Sequence, residues 1–356
     1  ANGVSLVLDG GSAGAGLPAV LHWGADLGGL DSHSLETMRA VALPPVLPNT
    51  MDAPVRLAVL PEHADGWAGL PGVSGHRDGS AWSPRFVVSR WDAHQGVAGG
   101  GELEVEASDR SAALGLLLLI RLEPSGLVRM RATLRNDHPD EPYVLDGLTL
   151  ALPVPADAGE ILDLAGRWTR ERIPQRRPFG VGSVMRESRR GRTGHDATLL
   201  MAAGTPGFGF RRGELWAMHV AWSGNHQLAA ERLPDGRRHV QGGELLHPGE
   251  VVLEPGDTYT APDLLGVHSP AGLTPASWGF HRSVRAQRSS VAMPSLATPR
   301  PVTLNTWEAV YFGHDLDTLS DLASTAADLG VERFVLDDGW FGSRRDDTSG
   351  LGDWVV

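Results

Sequence analysis

Short hydrophobic segments of strand length, separated by turn-forming residues, dominate the first 263 residues of the chain. Representative segments are residues 4–8, 86–89, 103–107, 127–134, 216–222 and 251–253, with Gly, Pro, Asp and Asn between them. Asp235 and Gly236 lie between two strand-like segments, and this residue pair is typical of a tight β-hairpin. Many short strands with regularly spaced turns are typical of an all-β sandwich. We therefore predict a large N-terminal β-sandwich.

Residues 102–106 alternate between Glu and an apolar residue. Such alternation predicts a strand with one face in the core and the other in solvent. Glu102, Glu104 and Glu106 therefore belong to a solvated sheet face rather than to an active site.

The pattern changes near residue 273. Residues 273–288 are compatible with a helix, and a Pro- and Ser-rich connector follows. Beyond it the pattern predicts a strand, a helix and a second strand. We predict three regions: a sandwich domain with a C-terminal helical segment (1–285), a linker (286–301), and the start of a parallel sheet or barrel (302–356).

The helix between the two C-terminal strands has clear end signals. Asp315 or Asp317 can cap its N-terminus, and Gly330 lies where a left-handed residue would end it. The apolar positions on one face of this helix are Leu319, Leu322, Ala323 and Ala326. This spacing predicts a helix with one buried face.

Two adjacent carboxylates, Asp337 and Asp338, follow the apolar run 333–336, and Gly339 ends that run. We expect both to project from the carboxyl end of a buried strand, where α/β folds carry their active sites. A turn acid or a helix cap is the structural alternative. Adjacent carboxylates repel each other and need donors, and Trp307 and Trp340 lie close in the motif. Carboxylates beside an aromatic face suit the hydroxyls of a hexose.

Composition excludes several function classes. The chain of 356 residues contains no Cys and no Lys, so thiolate chemistry, Cys-bound metal and lysine Schiff bases are excluded. The net charge is -12 and the 31 basic residues are scattered, which argues against nucleic-acid binding. The longest apolar stretch, 112–120, is too short to span a bilayer. No leader is visible, so we expect a cytoplasmic protein without membrane contact.

Three other signals are rejected. Residues 10–14 match a nucleophile-elbow pattern around Ser12, and residues 14–19 imitate a dinucleotide fingerprint. Both require a following helix, which Gly16 and Pro18 prevent. None of the 14 His residues has metal-ligand spacing, so we expect no metal and no cofactor.

Three C-terminal motifs, in order and at matching spacing, resemble the α-galactosidases of glycoside hydrolase family 36. They are NTWEAVYF from residue 305, LGVERFVLDDGWFGSRRDD from residue 329, and LGDW from residue 351. Weaker matches are residues 60–62, 74–77, 190–195, 222–225 and 280–285. The resemblance implies a mainly β protein, in which an N-terminal supersandwich precedes the first strand–helix–strand unit of a (β/α)8 TIM barrel. A closed barrel needs eight strands, so we expect the chain to stop before the barrel is complete.

The resemblance also implies roles for particular residues. Asp337 and Asp338 would bind galactose hydroxyls, and Trp307 would pack against the apolar face of the sugar. Asp52 corresponds to an acidic residue on an N-terminal loop of the family, and residues 47–52 resemble that loop only approximately. In the family this residue reaches the active site of a neighbouring subunit, which implies a homo-oligomer. His195 would hold loops at a domain interface.

Catalysis in the family is a retaining double displacement by two Asp residues on later barrel strands. We therefore expect no catalytic residue in this chain, and no activity from the chain alone. The expected partners are α-galactoside oligosaccharides.

Two alternatives remain open. An α-N-acetylgalactosaminidase or a raffinose-type transglycosylase of the same family would share all of these motifs. A non-catalytic carbohydrate-binding or assembly fragment is the other class.

Overall fold

The computed structural model describes residues 1–10, 16–46, 48–49, 52–96, 99–196, 200–288, 299–348, 350, 352 and 354–355. These residues form two compact units, Ala1–Val284 and Arg285–Val356. The predicted connector and the rejected motif around Ser12 lie largely outside the described residues. The predicted boundaries at 285, 286–301 and 302 stay predictions.

The first unit is built mainly from strands, as predicted. Its strands are β1 (Val4–Asp9), β2 (Ala19–Ala25), β3 (Val73–His76), β4 (Val87–Gln95), β5 (Gly101–Asp109), β6 (Leu114–Leu122), β7 (Val128–Asn136), β8 (Tyr143–Leu148), β9 (Leu150–Val154), β10 (Glu160–Arg167), β11 (Arg170–Pro178), β12 (Gly182–Ser188), β13 (Leu200–Gly204), β14 (Leu215–Val220), β15 (His226–Arg232), β16 (Arg238–Glu244), β17 (Val251–Leu253), β18 (Thr258–Thr260) and β19 (Leu264–Ser269). A short 3₁₀ turn covers His63–Asp65.

These strands form a large antiparallel sandwich. The main sheet has the order β11-β10-β13-β14-β19-β7-β6-β5-β4, with β18 also paired to β7. A four-stranded sheet (β12-β15-β16-β9) and a three-stranded sheet (β17-β8-β3) share one hydrophobic core with it. Strands β1 and β2 form a separate hairpin.

Alternation of side chains explains how the main sheet faces the core. In β7, Val128, Met130, Ala132 and Leu134 are fully buried, whereas the residues between them reach the other face. The apolar stretch 112–120 is largely strand β6, and Leu117 is the exposed residue of that stretch. Strand β6 lies between β5 and β7 in the main sheet, and this central position accounts for its run of Leu residues.

The predicted sheet details are confirmed at two positions. Asp235 and Gly236 form the turn between β15 and β16, and Gly236 adopts a φ of 94°. The Glu residues of β5 lie half-buried or exposed, and Glu102 and Glu106 pair with Arg121 and Arg90.

Two helices accompany the sandwich. Helix α2 (Leu273–Arg288) has the predicted bounds. Its Ala276 packs in a second core cluster with Leu265 and Val267 of the main sheet. Helix α1 (Ser32–Ala42) was not predicted; Asp31 caps it by accepting from the Ser34 N–H, and none of its residues is buried.

The second unit contains the predicted strand–helix–strand order. Its elements are β20 (Thr303–Asn305), the short helix α3 (Trp307–Val310), α4 (Leu316–Asp328) and β21 (Arg333–Val335). Strands β20 and β21 pair in parallel. Asp315 caps α4, and Gly330 follows it with a φ of 86°. Together with the sandwich, this unit confirms the mainly β fold that opens into a barrel.

One expectation about β21 is wrong. The strand was expected to be buried, but Arg333 is exposed and Phe334 and Val335 are only half-buried. Among the described residues, β21 pairs with β20 alone, so its other edge has no strand partner.

Candidate functional site

The carboxyl ends of β20 and β21 meet at one edge, because the two strands are parallel and in register. Asn305 pairs with Val335, and the Thr306 N–H donates to the Val335 carbonyl at 3.0 Å. Thr306 is fully buried, and its hydroxyl accepts from the Asp337 N–H at 3.1 Å. Strand pairing and the Asp337–Thr306 hydrogen bond therefore fix the backbone position of Asp337.

Asp337 is held by neutral donors. Its Oδ2 accepts from the Asn305 side-chain amide, and its Oδ1 accepts from the Asp338 N–H at 2.7 Å. The residue is half-buried, so part of the carboxylate remains accessible.

Asp338 is held by a cation instead. Arg344 donates from Nε to Oδ1 at 2.7 Å and from Nη2 to Oδ2 at 2.9 Å. These hydrogen bonds from Arg344 hold the pKa of Asp338 below its ordinary value, and Asp338 in turn raises the pKa of Arg344. Asp338 is therefore a carboxylate at neutral pH.

Trp307 lies at the same edge as the acidic pair. Its backbone N–H donates to Asn305 Oδ1 at 2.8 Å, so Asn305 connects Trp307 with Asp337. The indole is half-buried and meets Tyr311 and Phe312 edge-on, at centroid distances of 5.3 and 5.1 Å. The structure thus brings together three of the four predicted site residues.

Asp52 belongs to the first unit and lies exposed on a bend. Leu47, Thr50 and Met51, which complete the predicted loop, lie outside the described residues. The role of Asp52 stays a prediction.

Sequence reasoning missed Asn305 and Arg344 as parts of the site. Asn305 lies at the end of a strand beside Trp307, which was a usable signal. Arg344 lies within the run Arg344-Arg345-Asp346-Asp347, which reads as solvated charge, yet its side chain is only 3% exposed. Nothing in the local pattern distinguishes Arg344 from Arg345.

The structure adds no support for a functional role of His195 or for a metal site. His195 is exposed; it lies 4.0 Å from Glu171 and meets Trp168 edge-on. No cluster of His, Asp or Glu suited to a metal ion occurs among the described residues. In the same residues, no helix combines the length and hydropathy needed to cross a membrane.

Comparison with known proteins identifies the family. Residues 16–254 match the glycosyl hydrolase family 36 N-terminal domain, and residues 258–356 match melibiase. An alpha-galactosidase of Escherichia coli is 38% identical over 312 residues, covering 88% of this chain and 43% of that relative.

Solved structures give the same result. The GH36 alpha-galactosidase AgaA of Geobacillus stearothermophilus superposes with a TM-score of 0.85 at 25% identity, over 100% of this chain and 52% of that one. A variant of AgaA solved in complex with raffinose superposes with a TM-score of 0.83 at 25% identity, over the same shares. The chain thus spans about half the length of these proteins or less. The resemblance read from the sequence is confirmed: the chain belongs to glycosyl hydrolase family 36.

Proposed function

We propose that this chain provides the N-terminal sandwich and the first substrate-binding groups of a retaining α-galactosidase. Family membership and the names of the relatives support this activity, and the raffinose complex of the AgaA variant supports an α-galactoside substrate. The observation that carries the proposal is the meeting of Asp337, Asp338 and Trp307 at one strand edge.

The three side chains have complementary tasks toward a galactose ring. Ionised carboxylates accept hydrogen bonds from hydroxyls, and an accepted bond to a charged oxygen is stronger than one to a neutral oxygen. Asp337 and Asp338 would bind the ring hydroxyls in this way. The half-buried face of Trp307 would contact the apolar face of the sugar.

Asp338 is not suited to be the acid of the reaction. A general acid needs a raised pKa so that it keeps its proton near neutral pH. The Arg344 hydrogen bonds lower the pKa of Asp338. A retaining glycosidase also places its two carboxyl groups on opposite sides of the scissile bond, about 5–5.5 Å apart. Since the family carries both catalytic Asp residues on later barrel strands, we propose that the nucleophile and the acid/base lie outside these 356 residues.

Activity assays test this division of labour. An active enzyme that contains these residues should hydrolyse an aryl α-galactoside, and should prefer it to the matching aryl α-N-acetylgalactosaminide. The 356-residue chain alone should release no aryl group above the buffer rate. Turnover by the chain alone would refute the placement of the catalytic groups, and Asp337, Asp338 and Glu308 would become the first candidates for direct chemistry.

We also propose that the active enzyme is a homo-oligomer and that it is cytoplasmic. Helix α1 buries none of its residues, and Val41 on it is 80% exposed, which supports burial against another subunit. Light scattering of the active enzyme should give a mass of at least two subunits. A fully active monomer would refute the oligomer.

A further inference from the structure

Arg344 is the one side chain of the site that is both charged and almost completely buried. Its side chain is 3% exposed, whereas that of its partner Asp338 is 28% exposed. The guanidinium lies against two rings, with its Cζ at 5.6 Å from the Phe312 centroid and 6.0 Å from that of Phe341. Burying a charge is unfavourable unless it is paired, so Arg344 stays in place because Asp338 pairs with it.

The backbone around Arg344 keeps this arrangement compact. The Arg344 N–H donates to the Phe341 carbonyl at 3.2 Å, which turns the chain back toward Asp338. Gly339 adopts a φ of 99°, and a Cβ there would lie 3.0 Å from Phe312 Cδ1. The turn therefore requires glycine, and it allows Phe312 to approach closely.

The pairing is bidentate, and this determines what Asp338 can do. Nε and Nη2 of the planar guanidinium bind one carboxylate oxygen each, at 2.7 and 2.9 Å. Two parallel bonds fix the plane of the carboxylate, whereas a single ammonium donor would let it rotate. Each carboxylate oxygen can accept about two hydrogen bonds, so Arg344 and the Gly339 backbone N–H together leave at least one acceptor position of Asp338 for a ligand.

We propose that Arg344 is a positioning residue for substrate: through its two-point contact it aims the remaining acceptor capacity of Asp338 at the sugar hydroxyls. This inference rests on the proposed function. It adds a residue that does not contact the sugar, and it requires the planar fork of Arg344 and not only its charge.

Arg345 provides a matched control. It is the next residue and has the same side chain, but it is exposed and its guanidinium donates to the backbone carbonyls of Gly339 and Arg344. Substituting Arg345 with Lys therefore changes the same chemistry on the same turn without touching Asp338.

The test compares kcat/KM for an aryl α-galactoside among R344K, R344A, R345K, D338A and the double variant D338A/R344A. The background is an active enzyme that contains these residues, and thermal unfolding is recorded for every variant. R344K should lose roughly tenfold or more, because Lys keeps the charge but loses the bidentate geometry. R345K should stay within about twofold of the parent.

The double variant separates positioning from a structural role. If Arg344 acts through Asp338, adding R344A to D338A should lower kcat/KM no further. The proposal would be overturned if the kcat/KM losses of D338A and R344A multiplied in the double variant. It would also be overturned if the kcat/KM of R344K stayed within about twofold of that of the parent. If the parent hydrolyses α-galactosides but D338A is fully active, the α-galactosidase assignment stands and the positioning role is refuted. A parent inactive on α-galactosides would overturn both.

Discussion

Asp337 and Asp338 are neighbours in sequence, yet their partners differ. Asp337 accepts from the Asn305 amide and a backbone N–H, whereas Asp338 binds a buried guanidinium. The acidic pair could be predicted, because a short apolar run followed by acids indicates the end of a strand, and the role of Trp307 was implied by the family resemblance. Arg344 could not be predicted as the partner of Asp338, because it returns to Asp338 only through the turn at Gly339.

A second residue shows how burial controls charge. Glu62 is 5% exposed; its Oε1 accepts from the Phe86 N–H at 2.6 Å, and its Oε2 has no hydrogen-bond partner among the described residues. Burial raises the pKa of Glu62 to about 8, and the nearby Asp65 and Asp109 add to the rise. Glu62 is therefore largely protonated at neutral pH in the folded chain.

This pKa predicts that Glu62 lowers stability as the pH rises. The unfolded chain releases this proton near pH 4.5 and the folded chain near pH 8, so the folded state binds more protons between these values. The free energy of unfolding should fall across this window and level off above it. Glu62→Gln removes the titration. The free energy of unfolding of the variant should therefore rise relative to that of the parent by on the order of a few kcal/mol between pH 4 and pH 9.

Unfolding curves for both proteins from pH 4 to pH 9 check this prediction. The difference between the two proteins is the relevant quantity, because other titrating groups cancel in it. A difference independent of pH would contradict a protonated, buried Glu62.

Two helices could be predicted closely, whereas a third helix and the exposure of one strand could not. Helix α2 has the predicted bounds, and the α4 signals at Asp315 and Gly330 are confirmed. Helix α1 was not predicted, although Asp31 offers an N-cap and Leu35, Met38 and Val41 recur every three residues; none of its residues is buried within this chain. Strand β21 was expected to be buried because Phe334, Val335 and the following Leu336 are apolar, but burial depends on neighbours that local sequence does not reveal.

The end of α4 provides a test of element stability. The Gly330 N–H donates to the Ala327 carbonyl at 2.9 Å, and the Val331 N–H donates to the Ala326 carbonyl at 3.0 Å. These two bonds form a Schellman motif, which needs a left-handed residue at Gly330. No atom lies within 4 Å of a Cβ placed on Gly330, so a substitution there strains the backbone without a clash.

Gly330→Ala should therefore weaken the last turn of α4 by about 1 kcal/mol, seen as a roughly fivefold loss of amide-exchange protection there. Gly330→Asn is the control, because Asn tolerates the left-handed conformation better and should lose less protection. Equal losses in the two variants would argue against backbone strain as the cause.

At the scale of the whole molecule, the two units differ in how much apolar surface they bury. The first unit holds two hydrophobic clusters, whereas in the second Ala326 is the buried residue of α4. Several apolar side chains of the second unit are exposed: Val302 (60%), Leu316 (78%), Leu329 (80%) and Leu336 (45%). Exposed apolar surface of this kind and an unpaired sheet edge are normally packed against further protein.

We therefore predict that the units of the 356-residue chain differ in local stability. Amides of β6 and β7 should exchange with solvent far more slowly than those of β20 and β21, because few buried contacts oppose local opening in the short parallel pair. Hydrogen exchange read by mass spectrometry measures both at once. Equal protection of the two strand pairs would contradict this prediction.

The most direct test of the account is the kcat/KM of Asp337→Ala and Asp338→Ala for an aryl α-galactoside, in an active enzyme that contains these residues. Each variant loses a charged acceptor of sugar hydroxyls, so each should fall roughly ten- to a hundredfold. Asp346→Ala is the control, because Asp346 is an exposed acid on the same segment that binds Thr348, and it should leave kcat/KM within about twofold of the parent. If Asp337→Ala and Asp338→Ala both keep the parental kcat/KM, the strand edge of β20 and β21 is not the substrate site.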